Sequence, residues 1–202
     1  MHILEFRAAR FAGVLALISQ FTLIPCASAA RNGSQPVVPR GALAHATMTI
    51  ETAASGKVLE IRLMDETGDP KFEAAVAKGD GIVYVRIASV SDEVTEIKVS
   101  DLPAWLLNYH LEAYMRSIAQ AQVPLVEAIR RAEERANAPA IGAGLAKPLS
   151  GTNAVLAYYV ETISGTKRQQ FAVDAKNGSF IANPEELYEP HTPVKLARRL
   201  AP

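Results

Sequence analysis

The second half of this 202-residue chain repeats the first in the same order. Each half carries an apolar stretch, a break, and then strand-like runs joined by glycine-containing turns. The clearer copy opens at Pro124 with PLVEAIRRAEERANAP and continues through AVLAYYVETISGTKRQQFAVDAKNGSFI to Ile181. The weaker copy starts near Ala42. The expected fold is α+β: two tandem αβββ units, each a helix packed on an antiparallel sheet, joined by an apolar helix. An arrangement of this kind points to a binding or regulatory module.

The N-terminus reads as an export signal. Arg7 and Arg10 precede the apolar run FAGVLALISQFTLIP, and Ala27-Ser28-Ala29 supplies a small-x-small cleavage pattern. Residues 1–29 are expected to be removed, leaving a periplasmic or secreted protein. The run contains Ser19, Gln20 and Thr22 and is short beside the span of about 20 apolar residues that a bilayer requires. No stable membrane insertion is expected after cleavage. Pro25 stands before Cys26 where a lipoprotein signal carries a small residue, so lipidation is not expected. Cys26 is the only cysteine, and its removal would leave no disulfide, thiolate nucleophile or cysteine metal site. The 21 basic and 21 acidic residues cancel, which gives no electrostatic case for nucleic acid.

Residues 30–41 (ARNGSQPVVPRG) read as a linker interrupted by Gly, Ser and Pro. The first unit, 42–100, opens with a helix over Ala42 to Ser55, weakened by Thr47, Thr49, Ile50 and Thr52. Strands follow in KVLEIRLMD, KFEAAVAK and IVYVRIASV, with DEVTEIKV as a fourth candidate. In the first of these, alternation sets Val58, Glu60 and Arg62 on one face and Leu59, Ile61 and Leu63 on the other. Residues 101–122 form the connecting helix. Its apolar positions nearly encircle it, which implies burial on more than one side. The second unit, 123–189, opens with a helix in which Leu125, Ile129, Ala132 and Ala136 recur at helical spacing. Glu127, Arg130, Arg131, Glu133, Glu134 and Arg135 cover its other side. Ile141 to Ala146 contains two glycines and reads as a poor strand at a sheet edge. Ala154 to Ile163 is the strongest strand, and Lys167 to Ala175 returns from it to a tight turn at Asn177-Gly178. Residues 190–202 read as a mobile tail.

Three segments resemble the PepSY family: Val126-Glu127-Ala128-Ile129 in the helix, Tyr158-Tyr159-Val160 in the middle strand, and Phe171-Ala-Val-Asp-Ala-Lys-Asn-Gly-Ser-Phe-Ile181 in the last strand and its turn. The resemblance covers Val123 to Ile181 closely and Ala42 to Val90 by order and pattern. In the first copy Tyr84-Val85-Arg86-Ile87 stands where the Asp-bearing strand belongs, and Ser89-Val90-Ser91 replaces the turn, so that copy is degenerate. The resemblance implies a small αβββ module of peptidase propeptides and exported bacterial proteins, proposed to bind or restrain peptidases.

The residues themselves offer little chemistry. His45, His110 and His191 lack the close helical spacing of metal sites. Glu185, Glu186, Glu189 and His191 read as a solvated tail. No Gly-x-Ser-x-Gly elbow, zinc-protease motif or P-loop occurs. Neither catalytic residues, a metal site nor a cofactor is expected. Trp105, Tyr109 and Tyr114 are candidates for an interaction surface, with packing between the two units as the alternative. Asp174 and Gly178 are expected to shape a turn. The function expected is a non-enzymatic binding or inhibitory module acting on a protein or peptide, with a peptidase as one class of partner. An envelope ligand or metal sensor, and an enzyme of unrecognised type, are the alternatives.

Overall fold

The computed structural model describes residues 38–64, 69–79, 81–100, 115–148, 155–182 and 188–190. Helix α1 (Ala42–Ala54) is followed by strands β1 (Lys57–Met64), β2 (Lys71–Lys78), β3 (Gly81–Ala88) and β4 (Val94–Val99). Residues 115–120 are helical. Helix α2 (Leu125–Ala136) then leads into β5 (Ala140–Pro148), β6 (Ala157–Ser164), β7 (Lys167–Asp174), β8 (Phe180–Ile181) and β9 (Tyr188–Pro190). The β-branched residues in α1 are accommodated by back-bonding: the Thr47 and Thr52 hydroxyls donate to the Leu43 and Met48 carbonyls at 2.7 and 2.9 Å. The helix ends at Ser55, whose left-handed backbone (φ 52°) lets its N–H return to the last turn.

All the strands belong to one antiparallel sheet, in the order β4-β3-β2-β1-β5-β6-β7-β8, with β9 beside the far end of β5. Reading outward from the β1/β5 seam, each half is a meander of four strands. The sheet is thus continuous from one half of the chain to the other, and each helix precedes four strands.

Both helices lie against one face of this sheet and against each other. Their shared core takes Leu43, Ile50, Leu59, Phe72, Val85 and Ile87 from the first half and Ile129, Val160 and Val173 from the second. Ile118 packs against the same core, and the N–H groups of Gln122 and Val123 both donate to the Ala175 carbonyl at 2.9 Å.

Three sequence expectations change. The poor strand is not an edge: β5 lies at the centre, paired with β1 and β6. Its glycines mark close approach rather than a free border, because a Cβ at Gly144 would sit 2.9 Å from the Leu59 carbonyl oxygen and 3.0 Å from the Tyr159 ring. Val58 joins the helix-side core with Leu59, because the β1–β2 register shifts between Val58 and Glu60. Glu133 is buried rather than solvated. Its carboxylate accepts from the Gly41 N–H at 3.0 Å and the Ala140 N–H at 2.9 Å. It sits at the N-terminus of α1, where a negative charge is favoured, and ties α1 of one half to β5 of the other.

Candidate functional site

The sheet face turned away from the helices carries a cross-strand array of charged and polar side chains. The strand registers align two rows of side chains across it. One row runs Glu96, Arg86, Glu73, Arg62, Gly142, Glu161, Gln170 from β4 to β7. The other runs Lys98, Tyr84, Ala75, Glu60, Gly144, Tyr159, Ala172, Ile181 from β4 to β8.

Charges of opposite sign meet along the first row, as cross-strand pairing favours. Arg86 donates through Nε to Glu73 Oε2 at 2.8 Å and through Nη1 to Glu96 Oε2 at 3.0 Å. Arg168 reaches Glu161 at 3.0 Å. At the outer end the face opens into a groove of about 260 Å³, lined by Met64, Lys71, Glu73, Arg86, Thr95 and Glu96 among others.

The second row holds a buried triad at the seam. Glu60 is 1% exposed. Tyr159 donates its hydroxyl to Glu60 Oε1 at 2.9 Å, the Arg62 Nε bonds the same oxygen, and Arg62 Nη2 lies 3.4 Å from the Tyr159 hydroxyl. Glycine at 142 and 144 leaves space for these three side chains between β1 and β6. Burial, and then the Glu60 charge, push the Tyr159 phenol well above its ordinary range, so it stays a donor. Burial alone would lower Arg62, but Tyr159 and Glu60 outweigh it and raise it. Ala146, Ala157, Tyr159 and Ala172 form a small second core on this face.

The Tyr158-Tyr159 pair is divided by the strand. Tyr158 enters the helix-side core, where burial, and then Glu51, push its phenol up to about 12. A groove of about 210 Å³ there is bordered by Tyr158, Glu51, Lys57, Ile118, Leu125 and Leu145 among others.

The two residues expected at the turn do meet there. The Asp174 carboxylate accepts from the Lys176 N–H at 2.7 Å and the Asn177 amide at 3.1 Å, and its carbonyl accepts from the Gly178 N–H at 2.8 Å. Gly178 has φ +75°, and a Cβ on it would collide with the Arg131 guanidinium, which donates to the Gly178 carbonyl at 2.9 Å. Trp105, Tyr109, Tyr114, His110, Glu185, Glu186 and His191 lie outside the described residues, and Glu189 falls in β9. His45 pairs with Asp92 at 2.9 Å. Among the described residues, no group of three or more His, Cys, Asp or Glu side chains is placed to hold a metal ion. Among them too, no helix is long and apolar enough to cross a membrane.

In the sequence Glu60 and Arg62 are alternating residues of a strand, and nothing local to them marks a role. Their partner Tyr159 is 97 or more positions away, so only the seam brings them together.

No family model matches the chain, and no curated protein matches it. A solved structure described as a "putative lipoprotein" from Clostridium difficile 630 superposes with a TM-score of 0.42 at 13% identity, covering 66% of this chain and 85% of that one. A likeness this loose fixes neither family nor activity.

Proposed function

We propose that this chain is an exported, non-enzymatic binding or inhibitory module of PepSY type, built from two tandem αβββ-derived units and acting on an envelope protein such as a peptidase. The observation that carries the reading is the charged sheet face with its groove between β1 and β4. The groove presents both signs of charge beside Met64, a mixture suited to an extended polypeptide. The carboxylates and guanidinium groups around it bond one another across strands. Among the described residues that line it, these bonded pairs act as a fixed surface. The Arg7/Arg10 region, the apolar run and Ala27-Ser28-Ala29 support export. The Phe171–Ile181 hairpin and the repeated helix-then-meander order support the family reading.

The test is capture from envelope extract on immobilised protein, parent beside the double variant Met64→Glu, Lys71→Glu. Both positions border the groove. A protein retained by the parent and lost by the folded variant is expected. Identical captures would refute the groove as the binding surface. If the captured protein is a peptidase, its activity on a peptide substrate should fall when the parent is added.

A further inference from the structure

The two ends of the sheet differ. At one end β8 is two residues long and partly buried. At the other, β4 runs from Val94 to Val99, and its last five residues are exposed, Ile97 at 52% and Val99 at 68%. A long exposed edge with apolar side chains invites another strand. Among the described residues β4 pairs on one side, with β3.

The register shows what that edge offers. The Ser100 N–H donates to the Ile82 carbonyl at 2.9 Å, and Lys98 and Glu96 stand opposite Tyr84 and Arg86 in the same alternation. In an antiparallel ladder this turns the N–H and C=O groups of Ile97 and Val99 away from β3. A strand added there must place an apolar residue opposite Ile97, a cation opposite Glu96 and an anion opposite Lys98. Read backwards, β4 carries Lys98, Ile97 and Glu96 in that order. The charge row points the same way: Arg62, Glu73, Arg86 and Glu96 alternate in sign and reach the edge on a carboxylate.

We infer that β4 is a homodimer interface, pairing antiparallel with β4 of a second copy about a two-fold axis at Ile97, with Glu96 of each copy against Lys98 of the other. Ile97 then exchanges both backbone bonds with its symmetry mate. Glu96 and Lys98 fall on the non-hydrogen-bonded positions, where facing side chains are closest. The inference is independent of the groove's occupant.

Sedimentation velocity of the purified protein over a concentration series tests it, with thermal melts of each variant as a control for folding. The parent should dimerise as concentration rises. Glu96→Lys and Lys98→Glu should each weaken dimerisation about tenfold or more, since each turns two attractive pairs into two repulsive ones. An equimolar mixture of the two variants should dimerise again, because each lysine of the first variant then faces a glutamate of the second. Ile97→Pro removes an N–H that points away from β3, so it should abolish the dimer and leave the β3–β4 ladder intact. A parent that stays monomeric at every concentration overturns the inference. So does a dimer indifferent to charge reversal, or a mixture that fails to recover.

Discussion

Glu133 shows how much one side chain can hold. It accepts from the N–H of Gly41, the residue that caps α1, and from the first strand residue of β5, and it is buried while doing so. Glu133→Ala would strand those donors and is expected to cost about 2–3 kcal/mol, with Glu133→Gln recovering part of it. Urea midpoints of the two variants measure this, and an unchanged midpoint in the alanine variant would contradict the capping role. The sequence carried a signal for it: Glu133 continues the i, i+4 series of Leu125 and Ile129, so it lies on the apolar stripe although it is charged. Tyr158 makes a different prediction. Its phenol titrates near 10 when unfolded and is pushed up to about 12 by the fold. Both states keep the proton below pH 10. Above it the unfolded chain releases the proton first, so stability falls as pH rises from 10 toward 12. Tyr158→Phe should flatten that decline in denaturation curves taken across this window, and an unaltered slope would show that Tyr158 is not the group responsible.

Elements were largely legible where the signal is local. The α1, β1–β4, α2, β6 and β7 segments follow from periodicity and turn residues, and Asp174 and Gly178 fall in the hairpin where turn chemistry puts them. What could not be read was relational. The glycines of β5 weaken a strand judged alone, yet they fit it between β1 and β6. The bulge after Val58 depends on pairing with β2. Strand β9 lacks periodicity, and its pairing partner β5 is some 40 residues earlier. The seam triad has the same origin, since Tyr159 meets Glu60 and Arg62 only through strand order. The interaction surface expected at Trp105, Tyr109 and Tyr114 lies outside the described residues, while the charged face was not anticipated because each of its strands contributes only one or two charges.

At the scale of the molecule, the two halves of the described chain form a single body. Two meanders share one sheet, one helix layer and one helix-side core, and the buried triad of the polar face forms because β1 and β5 join. That join rests on a short register, Glu60 to Gly144 through Arg62 to Gly142, with Gly144 at its tightest point. Gly144→Val would force the seam apart, at an expected cost of about 1–3 kcal/mol or more for overpacking. The direct test is native-state hydrogen exchange on parent and Gly144→Val proteins, followed at the amides of β2 and β3 and of β6 and β7. If the halves are one cooperative unit, all four strands exchange through the same global opening, and the substitution lowers their protection together. If β2 and β3 keep the parent's protection while β6 and β7 lose theirs, the halves fold separately and the account of a single body is wrong.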